Sequence, residues 1–225
     1  MNDPGPQKRN SNAADSGARE ALIHAAIERI GHDGFDAVSI RAIADRAGVN
    51  AALISYYFGG KEGLYGAAVQ HIADQIAARQ VPVVEAIEQQ LAAGNDSREA
   101  CFEALCRVAD GFLTMLTSPE SAPWARIILR EQQDPTPHFE TLYEGPMGRV
   151  MRLCVLLHAR IQGREEPTID DRLGTATIMA QVAFWRSNHA AALRLLGWES
   201  VGPDEREIIR DRLHDNFARI LGVPR

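Results

Sequence analysis

The sequence predicts an all-α protein, and three observations carry that prediction. Apolar side chains recur at steps of three and four through most of the chain, which is the period of one helix face. Aromatic residues make up only 6% of the chain and β-branched residues rarely run together, so there is little material for strands. Glycine and proline interrupt the apolar rows at intervals that suit helices of ordinary length. With 225 residues, 45% of them hydrophobic, the chain is long enough for a good core in one or two domains. The interruptions divide it into about nine helices. They suggest an arm over residues 1–16, a three-helix unit over 17–66 and a larger helical body over 67–225.

Met1 to Ser16 is rich in Asn, Asp, Ser, Gly and Pro, has no periodicity, and is expected to be disordered. Lys8 and Arg9 make a thin basic arm there, of the kind that reaches into a minor groove. From Ala18 to Asp33, Leu22, Ile23, Ala26, Ile27 and Ile30 form one helical face, and Gly34 ends it. Ser39 then sits where an N-cap belongs, because its hydroxyl can accept an orphan amide of the first turn. Ile40, Ile43, Ala44 and Ala47 give the following helix a buried side. Gly48 stands where the chain must turn left-handed, Val49 plugs the corner, and Asn50 caps a second helix anchored by Leu53, Ile54 and Phe58. Helix, glycine turn and helix make a helix-turn-helix, whose second helix is shaped for a DNA major groove.

Ala51, Ala52, Ser55, Tyr56 and Tyr57 are left outward on that second helix, with Lys61 just beyond. Small residues at its start let the backbone approach base edges. Ser55 can bond a base or a phosphate, the tyrosines offer hydroxyls to phosphate oxygens, and Lys61 is a point charge for the DNA backbone. An ordinary αα-corner with a solvated face has the same spacing, since this geometry also occurs outside DNA binding.

The run from Leu22 to Leu64 resembles the N-terminal domain of the TetR family of bacterial transcriptional regulators. The match is carried by Leu22-Ile23, Ala25-Ala26, Gly34-Phe35, Ser39-x-Arg41-x-Ile43-Ala44, Ala47-Gly48-Val49, Tyr56-Tyr57-Phe58 and Lys61-Glu62-x-Leu64. The resemblance implies DNA contacts at Ser39, Arg41, Asn50, Ala51, Ala52, Ser55, Tyr56, Tyr57 and Lys61. Ser55 stands where the family often has a tyrosine, so that contact is shorter here or absent.

A long helix is expected from Lys61, held in register by Leu64, Ala68, Ile72, Gln75 and Ile76 and kinked or broken at Pro82. After the turn at Gly94–Ser97 a helix carries Cys101, Leu105, Val108, Phe112 and Met115. Pro123 and Trp124 open a short helix through Glu131, and Asp134-Pro135-Thr136-Pro137 is a rigid turn. Phe139 to Ile161 continues as a helix bent at Gly145-Pro146. Two long helices close the chain, at about 169–196 and 203–221. Ala176, Ala180, Ala183, Ser187 and Ala190 form a stripe of small side chains along the first of them, which suits the close approach of another helix. These two helices are expected to form an intermolecular four-helix bundle, giving a homodimer that doubles the DNA site.

Arg130-Glu131-Gln132-x-Asp134-Pro135-Thr136-Pro137-x-Phe139-x-x-Leu142-Tyr143, with Phe184-Trp185-Arg186 later, is similar to the CerR-type C-terminal domain of some TetR-family members. That likeness implies a homodimeric, effector-sensing module with an apolar pocket for a small hydrophobic or amphipathic molecule. Phe102, Phe112, Trp124, Ile128, Arg130, Tyr143, Met147 and Trp185 are the candidate lining residues. Each has a plainer reading. Arg130 and its neighbour Glu131 suit helix-end groups or an interface ion pair, and the aromatics suit core packing. His158 and His189, on largely apolar helices, suit packed or surface histidines.

Charge limits how DNA is held. The net charge is −6, and up to Gly66 there are seven positive side chains and eight negative ones. Binding therefore rests on local placement of Arg41, Lys61 and backbone amides, not on a bulk field. Cys101, Cys106 and Cys154 have neither C-x-x-C nor zinc spacing, and no cofactor or metal is expected. The polar N-terminus, the lack of a membrane-length apolar run and the odd cysteine count suit a cytoplasmic protein with no membrane partner. Gly59-Gly60-Lys61 lacks the earlier glycine, the Ser or Thr and the preceding strand of a phosphate loop, and no catalytic constellation appears elsewhere. A non-enzymatic, DNA-binding regulator is the expectation. The other reading is a helical protein-interaction adaptor that does not bind specific DNA.

Overall fold

A computed structural model describes residues 6–224, with side chains from Asp15 onward. Its helices are α1 (Pro6–Asp33), α2 (Ile40–Ala47), α3 (Ala52–Phe58), α4 (Lys61–Ala92), α5 (Arg98–Thr117), α6 (Ala122–Gln133), α7 (Phe139–Leu142), α8 (Gly148–Ile161), α9 (Ile169–Ser187), α10 (His189–Leu196) and α11 (Pro203–Leu221). A 3-10 turn, Pro119–Ser121, precedes α6, and a π-helical turn, Tyr143–Met147, lies between α7 and α8. There is no strand among the described residues.

The chain forms two compact units, Met1–Ile72 with Arg126–Thr141, and Ala73–Ala125 with Leu142–Arg225. This differs from a division after residue 66: the boundary falls inside α4 and again inside α6. The expectation of a contiguous first domain misses that the segment after Ala125 returns to the N-terminal helices.

In the first unit α1 packs on α2 and on α3, burying Leu22, Ile23, Ala26, Ile27 and Ile30. The expected disordered arm fares differently in its two parts. Residues 1–5 lie outside the described residues, whereas Pro6 to Ser16 belong to α1. Pro6 stands in the first turn, where its missing amide costs nothing, and no Gly or Pro follows until Gly17. Once the buried part of the helix exists, each added residue needs only the cheap propagation step.

Of the kink or short break expected at Pro82, no break occurs, and α4 runs from Lys61 to Ala92 through it. One intrahelical bond is forfeited, but Ile72, Ile76, Val84 and Ile87 are buried on both sides of the proline and hold the register. The bend at Gly145-Pro146 does occur: Gly145 leaves helical geometry with ψ −128°. The single helix expected at 169–196 is two, because Asn188 (φ −117°, ψ 27°) separates α9 from α10. Ser and Asn favour such boundaries, since their side chains compete for the helix's own backbone groups.

In the second unit α5 packs against α8, α9 and α11, and α8 against α9. Leu105, Val108, Leu113, Leu157, Ile178, Val182, Leu213 and Phe217 fill the space between them. Each such side chain contributes about 1.5–3 kcal/mol when fully buried. The three cysteines are free and buried there. Burial pushes the Cys154 thiol up to about 12, so it carries little thiolate at neutral pH and is a packing residue, not a redox group.

The N-terminus of α9 is fixed by a capping box on a buried carboxylate. Asp171 accepts from the Thr168 amide at 2.7 Å and from the Thr168 hydroxyl at 2.7 Å. It also accepts from Arg164, whose Nε lies 3.1 Å away. The Arg164 guanidinium and the Thr168 bonds hold its carboxyl well below the usual carboxylate range. His158, packed beside it with Thr175, has its imidazole pushed down by burial, and its place is structural. A depressed carboxylate pKa contributes stability that is complete above the unfolded value and is lost as pH falls through the folded one. Asp171→Asn is therefore expected to cost about 2 kcal/mol at pH 7. The gap to the parent protein should narrow below about pH 4. Thermal unfolding at pH 7 and pH 3 checks both.

Candidate nucleic-acid interface

The helix-turn-helix is set by local bonds. Ser39 Oγ accepts from the Ala42 amide at 3.1 Å, capping α2. Gly48 (φ 69°, ψ 28°) closes the helix in the left-handed region, and the Val49 amide reaches back to the Ala44 carbonyl at 3.1 Å. The Asn50 side chain accepts from the Ala52 amide at 2.8 Å and so starts α3, although Ala51 is the residue at the cap itself. The turn from α3 into α4 is tight enough that a Cβ on Gly63 would lie 1.9 Å from the Phe58 carbonyl oxygen. Only glycine fits there.

Ile43, Ala44 and Ile54 are buried at the centre of the motif, and Ala47, Val49, Leu53 and Phe58 are half-buried around them. Ile40 departs from the expected buried row and is 37% exposed. It is the first residue of α2, and helical side chains lean toward the N-terminus, so it projects past the packed face.

Ser39, Arg41, Asn50, Ala52, Ser55 and Tyr56 are exposed, while Ala51, Tyr57 and Lys61 are half-buried. Tyr56 is 75% exposed, a large aromatic surface left bare on α3. Two of the expected phosphate contacts already have partners. The Tyr57 hydroxyl donates to the Asp15 carboxylate, and that bond raises its pKa to about 12. Lys61 Nζ sits over the Phe35 ring, 4.5 Å from its centroid, which fixes where its charge stands. Ser39 likewise uses its hydroxyl as the cap of α2.

Beneath this surface lies a polar cluster that the sequence does not reveal. Glu131 is fully buried and accepts from Tyr65 Oη at 2.5 Å, from the Thr136 amide at 3.1 Å and from Thr136 Oγ1 at 2.8 Å. Burial, then the bond to Glu131, pushes the Tyr65 phenol well above its ordinary pKa. Arg130 meets Asp36 at 3.5 Å and stands 5.9 Å from the Phe35 ring centroid. His138 is 3.3 Å from Glu62, and its ring lies against Gly66. Arg130 and Glu131 therefore serve the first unit. The Asp-Pro-Thr-Pro turn follows from its prolines, but its attachment to Tyr65 does not, because the partners are distant in sequence.

The candidate lining residues divide between the two units. Ile128 and Arg130 lie in the first unit, whereas Phe102, Phe112, Trp124, Tyr143, Met147 and Trp185 lie in the second. Phe102, Phe112 and Trp185 pack on the second unit's core, Trp124 stacks under the Arg79 guanidinium at 5.1 Å, and Tyr143 is 44% exposed. Among the described residues no group of His, Cys, Asp and Glu could hold a metal ion, and no helix is long and apolar enough to cross a membrane.

A capped helix-turn-helix with a bare polar second helix, in an all-α chain with a separate helical unit, defines a DNA-binding transcription regulator. Residues 22–68 match the model "Bacterial regulatory proteins, tetR family", and residues 102–223 match "HTH-type transcriptional dual regulator CecR, C-terminal domain". The chain belongs to the TetR family of bacterial transcriptional regulators, whose members bind operator DNA as dimers and are not enzymes. Its second-domain type is CecR rather than CerR. It is 30% identical over 204 residues to the HTH-type transcriptional dual regulator CecR of Shigella flexneri, covering 91% of each chain. Two solved structures share the fold. The fatty acid degradation regulator FadR from Bacillus halodurans has a TM-score of 0.58 at 19% identity, over 100% of this chain and 99% of that one. A candidate transcriptional regulator from Saccharomonospora viridis in complex with choline has a TM-score of 0.59 at 20% identity, over 91% of this chain and 96% of that one.

Removing the buried acceptor tests the polar cluster. Glu131→Ala leaves the buried Tyr65 hydroxyl and the half-buried Thr136 amide without their acceptor and is expected to cost about 3 kcal/mol. Tyr65→Phe removes one donor and should cost about 1 kcal/mol. Denaturant unfolding of the two variants against the parent measures both.

Proposed function

We propose that this regulator is a ligand-responsive repressor that binds a near-palindromic operator as a homodimer and is released by a small hydrophobic or amphipathic effector. The observation that carries the reading is the bare face of α3, Ser55 and Tyr56 above all, on a helix fixed at both ends. In this reading Ser39, Arg41, Asn50, Ala51, Ala52, Ser55, Tyr56, Tyr57 and Lys61 meet DNA. Arg41 and Ser55 discriminate bases, and Tyr57 and Lys61 hold phosphates. The two recognition helices stand one helical turn apart, ~34–36 Å, in successive major grooves. The site of action is the cytoplasm, where a bacterial operator lies.

The dimer is proposed to form through α9 and α11. Leu173 on α9 is 60% exposed and Phe184 41%, while on α11 Ile208 is 60% exposed and Ile220 47%. Ala176, Ala180, Ala183, Ser187 and Ala190 are exposed as well, the expected small stripe lying bare on the monomer. Apolar surface of this kind is what a second copy would cover. An effector is supported by family membership and by the choline held by the Saccharomonospora viridis protein. It need only prefer one of two arrangements of the dimer, by about 1–3 kcal/mol, to release DNA.

Footprinting on the DNA flanking the chain's own gene should show a protected near-palindrome at low ionic strength. Tyr57→Ala and Lys61→Ala should weaken binding about equally on all operators, with the Lys61 change lowering the salt slope by about one. Arg41→Ala and Ser55→Ala should instead alter sequence preference; unchanged affinity in all four would refute the assignment. Ala180→Arg, placing a charge in the small stripe, should yield a monomer by light scattering, with operator binding lost. A dimeric Ala180→Arg protein would move the interface elsewhere.

A further inference from the structure

Arg130 stands far from the helix-turn-helix in sequence but against it in space. It belongs to α6, in the segment that the first unit takes in. The next residue, Glu131, is fully buried and bonded to Tyr65 and Thr136, so the backbone that carries Arg130 is fixed. From there its side chain meets the loop between α1 and α2. Nη2 is 3.5 Å from the Asp36 carboxylate, and the guanidinium carbon is 5.9 Å from the Phe35 ring centroid. Nη1 lies 3.7 Å from where a Cβ on Gly34 would stand.

The same ring carries Lys61, whose Nζ is 4.5 Å from the Phe35 centroid. Two cations thus share one aromatic side chain, and neither is firmly neutralised. Glu62, beside Lys61, is turned to His138 at 3.3 Å, and Lys61 has no ion pair among the described residues. The Arg130–Asp36 pair joins a side chain 34% exposed to one 89% exposed, and surface pairs of that kind contribute little. Like charges gathered this way cost the free protein energy, and an anion placed between them recovers it. The elements concerned are those of the recognition surface: Asp36 lies three residues before Ser39, the cap of α2, and Lys61 opens α4.

We propose that Arg130 is a phosphate-binding residue of the operator interface, holding the DNA backbone beside Lys61. The inference rests on the reading that the α3 face meets DNA, and it adds a contact from outside the helix-turn-helix. The planar guanidinium presents a fork of donors that two phosphate oxygens can accept at once, which a lysine cannot offer. A carboxylate has a similar pair of oxygens, so in the free protein Asp36 occupies the place that the phosphate takes on binding. The contact is to the backbone and carries no base preference, so it strengthens binding to every duplex. It also answers the charge deficit. Up to Gly66 there are seven positive side chains against eight negative ones, and Arg130 brings a further cation from a later part of the chain.

The test titrates the full-length protein against its footprinted operator and an unrelated duplex of equal length, by fluorescence anisotropy, between about 50 and 200 mM salt. Arg130→Gln is expected to bind both duplexes about tenfold more weakly at the lower salt, with the salt slope reduced by about one for each protomer bound. Arg130→Lys should restore the slope but not the whole affinity, because it keeps the charge and loses the fork. Arg126→Gln removes the same charge one turn earlier on α6, where the side chain is exposed, and should keep the parent slope. A parent slope in Arg130→Gln overturns the proposal even if binding weakens, since Arg130 then only supports the loop at Phe35. Equal loss of slope in Arg126→Gln and Arg130→Gln also overturns it, because charge and not place is then what counts. Asp36→Asn keeps the test standing if Arg130→Gln fails to fold: it frees Arg130 and should tighten binding about threefold. Unchanged or weaker binding by Asp36→Asn overturns the proposal. If the parent binds no duplex, the α3 reading falls and this one with it; if the parent binds and Arg130→Gln matches it, this one falls alone.

Discussion

A fully buried carboxylate with no ion pair among the described residues sets the constraint around which the first unit is built. Glu131 takes a phenol, an amide and a hydroxyl in place of water, all from Tyr65 and Thr136. Removing the buried acceptor strands its donors and costs about 3 kcal/mol, whereas removing one donor costs about 1 kcal/mol. Glu131 is therefore the member on which the cluster depends most. It binds the Arg126–Thr141 segment to the first turns of α4, where Lys61 and Tyr65 sit a turn apart. The same segment brings Arg130 to Asp36, so it meets the loop before α2 as well as the start of α4.

The recognition surface is built sparingly on top of this. A unit with almost no net charge in its helix-turn-helix portion cannot hold DNA by a field, and its side chains show restraint even where they are placed to do so. Tyr57 is bonded to Asp15, and Lys61 leans on Phe35. The free face carries acidic competition for its own donors, so a phosphate must displace a carboxylate to engage Tyr57. In the proposed reading such an arrangement lowers affinity for any duplex and leaves a larger share of the discrimination to Arg41 and Ser55.

How far the sequence speaks depends on the range of the interaction concerned. Ser39 and Gly48 announce α2 because a cap and a left-handed turn involve residues three or four apart, and both are found as expected. The bend at Gly145-Pro146 and the bounds of α11 are legible for the same reason. Pro82 does not break α4 because the local penalty of proline is outweighed by burial of Ile76, Val84 and Ile87 on either side of it, which no local rule sees. Glu131 and Tyr65 could not be joined from the sequence, since they are 66 residues apart and neither has a distinctive neighbour pattern. The ligand-lining set is the least legible part, because aromatic residues on apolar rows look alike whether they pack a core or face a pocket. Gln80, buried with neither side-chain polar atom bonded, did leave a trace: a glutamine between Ile76 and Val84 on one helical row is a polar residue at a core position.

That trace also bears on how a switch can be built at low energetic expense. One helix, α4, carries Lys61 at its start, Tyr65 a turn later, Gln80 well along it and Pro82 just beyond. A useful allosteric coupling is about 1–3 kcal/mol. The cost of one buried polar atom left without a partner is also about 1–3 kcal/mol. A residue whose polar atoms are unsatisfied in one arrangement and bonded in another therefore supplies a differential affinity of the required size. It needs no large rearrangement of the core, and a missing backbone bond at Pro82 lowers the resistance to bending where that difference is applied.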